Sequence, residues 1–145
     1  MERGIDYIGV GIVFYCHDGK GNFIMSKRSK NTRDEHGRWD PGGGGIELGE
    51  TIDSALTREI KEEYCTDVKS FEFLGFRDVH RINEKGEKTH WMVFDFKVLV
   101  DRKKVKNGVP DEHEKIGWFR LDNLPEPAHS QFPFFLKKYK TKLLK

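Results

Sequence analysis

Cysteine is nearly absent: Cys16 and Cys65 are the only two among 145 residues. Two thiols cannot build the framework of bridges on which small secreted domains depend, and a chain of this length does not need one. A reducing compartment is the expectation, and the cytoplasm the expected location. Long apolar runs are missing as well. The longest, Ile8 to Cys16, is nine residues, far short of the roughly 20 that cross a bilayer, and the opening Met-Glu-Arg-Gly-Ile-Asp does not read as a secretory leader. Neither sign of charge prevails, since 26 Lys and Arg against 24 Asp and Glu leave +2. That balance provides neither a general coat for DNA nor a polybasic anchor for a membrane. Apolar residues are few at 36%, yet 11 Phe, 4 Tyr and 3 Trp supply enough bulk for one core, which excludes wholesale disorder. The length corresponds to a single domain.

β-branched and aromatic residues fill 5–16 and Phe23 to Lys27, and the turn-rich Asp18-Gly19-Lys20-Gly21-Asn22 between them predicts a hairpin. A charged, aperiodic stretch from Arg28 to Arg38 leads through Trp39-Asp40-Pro41 into Gly42 to Gly45, which reads as a loop. Thr51 is a suitable N-cap and Asp53 suits the first turn of a helix. Ile52, Leu56, Ile60 and Tyr64 then recur every fourth residue, predicting a helix of about three and a half turns. Strands are expected at 67–79 and 89–100 around the tip Asn83 to Glu87, with a short one at Ile116 to Arg120. A lysine-rich amphipathic helix should close the chain from Phe132 to Leu144. Mixed strands with two helices predict an α/β domain.

The first helix conflicts with local rules in one respect. On a helical wheel Glu59, Glu62 and Glu63 share a face, and Glu63 falls on the edge of the apolar stripe, where a carboxylate is partly desolvated. They also crowd the negative end of the macrodipole, and Glu59 with Glu63 is a like-charge i,i+4 pair costing about 0.2–0.5 kcal/mol. A hard divalent cation relieves all three costs, and the small Ala55 on that face leaves room for a ligand. The alternative, a solvated face in which Arg58 and Lys61 balance the glutamates, is what most charge runs amount to.

The residues around this helix decide between the two. Gly44, Glu50 after five intervening residues, and after seven more Arg58-Glu59-Ile60-Lys61-Glu62-Glu63 form a pattern that resembles the Nudix box. The match spans Gly44 to Thr66, and Trp39-Asp40-Pro41-Gly42-Gly43 and Trp118-Phe119 resemble the family's flanks. The resemblance implies a single Nudix-fold domain, a mixed β-sheet sandwiched between helices (α/β/α). It also implies hydrolysis of nucleoside diphosphate derivatives by water attack on phosphorus, with Mg²⁺ or Mn²⁺ as cofactor. On the matching positions, Glu59 and Glu63 would be the principal metal ligands, Glu62 a ligand or the water-activating base, and the Gly43 carbonyl a backbone ligand. Glu50 and Arg58 would orient them, as metal sites require of the groups behind their ligands. Glycines such as Gly44 let backbone approach phosphates. One position departs: Cys65 stands where the family has glycine in the left-handed conformation, which a cysteine adopts at about 1–2 kcal/mol, so a different helix exit is expected.

Outside the box, Asp111-Glu112-His113-Glu114 offers further acids, and Glu112 and Glu114 are preferred to His113 as candidate bases. Arg28 is the first choice for a phosphate contact among Lys27, Arg28, Lys30, Arg33 and Arg38. Trp39 and Phe132 are candidates to stack on a base, although core packing is the commoner role for both. His80, His90 and His129 show no zinc-like spacing along the chain. No proline or tyrosine occurs between Cys65 and Gly108, which weakens the ADP-ribose and dinucleoside-polyphosphate readings that such markers support. The chain looks most like MutT-type nucleoside triphosphate pyrophosphatases. Pyrophosphate removal from an RNA 5′ end and a non-catalytic nucleotide- or RNA-binding module are the alternatives, and a homodimer is left open.

Overall fold

The computed structural model describes residues 1–145. In chain order the elements are β1 (Gly9–His17), β2 (Phe23–Arg28), β3 (Trp39–Asp40), β4 (Gly43–Gly45), α1 (Ile52–Tyr64), β5 (Val68–Ile82), β6 (Lys88–Val100), a 3-10 turn at Arg102–Lys104, β7 (His113–Phe119) and α2 (Phe132–Leu143). The sheet is ordered β3-β2-β1-β6-β5, with β4 added against β1 and β7 against β2. β1 lies parallel to β6, and the other pairs are antiparallel.

Alternation along β1 assigns one helix to each face of the sheet, because successive side chains on a strand point to opposite sides. Ile12, Phe14 and Cys16 pack with Leu56, Ile60 and Tyr64 of α1. On the other face Tyr15 packs with Phe132, Phe135 and Tyr139 of α2, and Val13 lies against the same cluster. The α/β/α sandwich expected from the sequence is therefore present, and no helix is long and apolar enough to cross a membrane.

Three local expectations need correcting. Residues 5–8 precede the first strand, because Gly4 turns the chain there with φ of 85° and donates to the Tyr7 carbonyl at 2.8 Å. The glycine run is not a loop: Gly43, Gly44 and Gly45 pair antiparallel with Val13, Ile12 and Gly11. A Cβ on Gly43 would collide with the Ile12 carbonyl oxygen, so the close approach of these backbones needs glycine. The last strand begins at His113 rather than Ile116, since β2 extends far enough to pair Arg28 with it.

α1 starts as predicted, with the Thr51 hydroxyl accepting from Ser54 N at 3.1 Å. Its exit departs from expectation in the conservative direction. Cys65 takes the left-handed conformation itself, with φ 60° and ψ 16°, and its N–H reaches the Lys61 carbonyl. Strain relief at that position should outweigh the greater unfolded-state freedom of glycine. Cys65→Gly is expected to raise stability by about 0.5–1 kcal/mol, read as an upward shift in thermal midpoint. An unchanged or lower midpoint would show that Cys65 packing matters more than its backbone. Beyond the cap, the Glu63 and Tyr64 carbonyls accept from Gly108 N at 2.9 Å and Lys106 N at 3.0 Å. This loop closes the C-terminus of α1 and leads directly into His113.

Candidate active site

α1 carries Glu63 inward. Its side chain is 8% exposed, whereas Glu59 is 13% and Glu62 is 55% exposed. The wheel position of Glu63 at the margin of the apolar stripe is the cause, since Ile60 and Tyr64 beside it are fully buried. Burial, reinforced by the Glu59 and Asp40 carboxylates, pushes the Glu63 carboxyl well above the ordinary range. Burial also raises Glu59, against the opposing pull of Arg58. A buried carboxylate with acids for neighbours is stable only when protonated or paired with a cation.

Arg58 organises the outer part of the cluster. It grips Glu50 with two bonds, Nε to Oε2 at 2.6 Å and Nη2 to Oε1 at 2.8 Å. Through Nη1 it reaches Glu59 at 3.0 Å and Glu62 at 3.3 Å. The bidentate contact holds the Glu50 carboxyl down at about 2, so Glu50 stays ionised and keeps Arg58 fixed in turn. The site thus retains one cation among four glutamates, and that cation does not reach Glu63 by any hydrogen bond.

Facing Glu63 is His113, buried, with Nε2 at 3.5 Å from Glu63 Oε1. Burial lowers the basicity of this imidazole, and its Nδ1 has no hydrogen-bond partner. The sequence reading preferred its neighbours. Glu112 is exposed but near enough to contribute to the raised Glu63, while Glu114 is turned to Lys27 at 3.6 Å. Alternation on β7 separates the inward His113 from Glu114. Asp40 is an acid the sequence reading passed over: it sits beside Arg28 at 3.4 Å and adds its charge to Glu63. Its signal was its place in Trp39-Asp40-Pro41, just ahead of the glycines.

A cleft of about 320 Å³ opens beside β4. Gly42 to Gly45 line it, and a Cβ on Gly44 would fall on the Glu59 carboxylate. The bare backbone of this strand therefore borders both the Glu59 carboxylate and the cleft, and Asp40 lines the cleft itself. Arg28, Arg33, Arg77 and Arg81 line the opposite walls with Trp91. Arg28 is held by Asp34 at 3.2 Å as well as by Asp40, and Arg33 lies over the Trp91 ring at 5.2 Å. Of the other sequence candidates, Phe132 is core that also borders the cleft, whereas Trp39 packs edge-on against Phe119 in the α2 layer and does not line it. Arg38 is half-exposed outside the cleft, near Glu35 at 4.0 Å. Ala55 leaves no space for a ligand, because it is fully buried in the α1 layer.

The donor set fits a divalent ion of the magnesium class. Its side-chain members are carboxylate oxygens, ligands that hard cations take, and the innermost, Glu63, is buried among other acids. With acids clustered at a glycine strand and arginines lining the adjoining cleft, the chain has the parts of a hydrolase of phosphorus anhydrides, and comparison with known proteins establishes that class. It belongs to the Nudix family, whose NUDIX domain model matches residues 7–139, and it is a Nudix hydrolase acting on pyrophosphate bonds. It is 29% identical over 111 residues to nucleoside triphosphatase NudI of Enterobacter sp. (strain 638), covering 72% of this chain and 77% of that one. Its fold is similar to a MutT Nudix hydrolase from Burkholderia pseudomallei, with TM-score 0.78 and 27% identity over 92% of this chain and 98% of that one. The Nudix domain of Shewanella oneidensis NrtR, solved with ADP-ribose, shares the fold at TM-score 0.73 and 14% identity, covering 95% and 90%. Members of the family generally use divalent metal ions.

Proposed function

We propose that this chain is a Mg²⁺-dependent (or Mn²⁺-dependent) pyrophosphohydrolase of nucleoside triphosphates and related nucleoside diphosphate derivatives. The observation that supports it best is the buried, acid-flanked Glu63 on a helix whose Glu59 abuts the glycine strand that lines an arginine-rich cleft. Bound Mg²⁺ would neutralise charge on the diphosphate and make water a better nucleophile.

Glu59, Glu63 and the Gly43 carbonyl would hold the ion. Arg58, locked by Glu50, fixes the carboxylates of Glu59 and Glu62 in one orientation. Glu62, the most exposed of the three, would join them as a ligand or accept the proton of the attacking water as the water oxygen bonds to phosphorus and the bridging P–O bond breaks. Glu112 is the other candidate acceptor. Arg28 would meet a phosphate across Gly44, and Phe132 would border the base.

The test is product analysis by mass spectrometry in ¹⁸O-labelled water with a panel of nucleotides and Mg²⁺. Turnover of nucleoside triphosphates with the label in one phosphate product is expected. Binding without turnover of any member would favour a nucleotide-binding module, and a 5′-triphosphorylated RNA cleaved faster than free nucleotides would move the substrate to RNA ends.

A further inference from the structure

Linear spacing hides one cluster that strand pairing creates. His80 of β5 is paired directly with His90 of β6. Asp78, two residues before His80, falls on the same face of the sheet. The two imidazoles stack with centroids 4.0 Å apart and planes at 25°. Both direct Nε2 at one oxygen: Asp78 Oδ1 is 2.6 Å from His90 and 3.0 Å from His80. The three ligand atoms lie within 4.8 Å of one another. The cluster is separate from the glutamates of α1, and the hydrolytic reading gives it no task.

We propose that Asp78, His80 and His90 form a binding site for a divalent transition-metal ion of the zinc class, clipping β5 to β6 near the hairpin tip. Two imidazole nitrogens and a carboxylate oxygen are donors that suit zinc, copper or nickel rather than magnesium. Zinc bonds of about 2.0–2.1 Å set tetrahedral ligand separations near 3.3 Å. The carboxylate oxygen now lies about 0.7 Å closer than that to His90 and about 0.3 Å closer to His80, so side-chain rotations that draw it back would admit the ion. Three protein ligands leave one position for water. On binding, each ring would offer its Nε2 lone pair to the ion and carry its single proton on Nδ1. His80 and Asp78 are more than half exposed and His90 about a third, so the site is open to solvent and its variants spare the core. On the opposite face of the same strands, Val79, Arg81 and Trp91 line the cleft, which places the clip on the outer side of the cleft wall.

The test is zinc titration of the untagged full-length chain in a large excess of Mg²⁺, followed by calorimetry and by the side-chain ¹⁵N resonances of ¹⁵N-histidine-labelled protein. One zinc equivalent should bind with shifts confined to the Nε2 signals of His80 and His90. Affinity should fall about tenfold or more in His80→Gln and in His90→Gln, and should persist in Glu63→Gln. Unmoved His80 and His90 signals at saturating zinc, undiminished affinity in His90→Gln, or binding that disappears with Glu63 would each overturn the assignment.

Discussion

Glu63→Gln should lower turnover by about two orders of magnitude or more and weaken Mg²⁺ binding, while the metal-free protein folds at least as stably as the parent. The amide keeps the shape of the carboxylate but loses a charge and one oxygen donor, and a hard cation needs both. Without metal the same loss is a relief. The side chain is buried against Glu59 and Asp40, and even one like-charge pair at helical spacing costs about 0.2–0.5 kcal/mol. Steady-state kinetics, calorimetric Mg²⁺ titration and thermal melts in chelator check the three parts separately. Full retained activity would remove Glu63 from the ligand set, and a large loss of metal-free stability would mean that the site was shaped for folding instead.

Arg77→Met should cost about 3–5 kcal/mol of folding stability, a drop in thermal midpoint on the order of 10 °C. Arg77 Nε and Nη2 each meet the Asp95 carboxylate at 2.8 Å, and the Asp95 side chain is fully buried. Tyr139 of α2 donates to the same carboxylate at 2.7 Å. Removing the guanidinium strands a charge between sheet and helix, a situation far worse than never having had the pair. Adding Asp95→Asn should recover at least half of the loss, since the amide oxygen still accepts from Tyr139. Denaturant unfolding of the two variants and the parent measures this, and equal instability of single and double variants would show that lost packing, not charge, is responsible.

The glutamate-bearing helix α1 was legible in the sequence because its information is local. Capping at Thr51, the four-residue apolar period and the misplaced glutamates all lie within one element. The burial of Glu63 followed from its wheel position alone. What stayed hidden depends on pairing between distant segments. His113 reaches Glu63 because the loop at 106–108 closes α1 and β7 pairs with β2, and nothing within Asp111 to Glu114 distinguishes inward from outward. Arg77, Arg81 and Trp91 share a face with period two, but only the sheet order turns that face toward Arg28 and Arg33. The glycines were misread as loop because four in succession suggest freedom, whereas a strand against β1 uses them for the absence of side chains. Cys65 kept the backbone of the glycine it replaces, so a sequence departure left no trace in the helix exit.

The bare strand Gly43–Gly45 has a thermodynamic consequence. Ion and nucleotide would both sit against this strand, and each would reduce the electrostatic work of bringing in the other. By linkage, Mg²⁺ should then tighten nucleotide affinity by the same factor as nucleotide tightens Mg²⁺ affinity. A methyl group at Gly44 would displace Glu59 and weaken that reciprocity along with the ligand geometry.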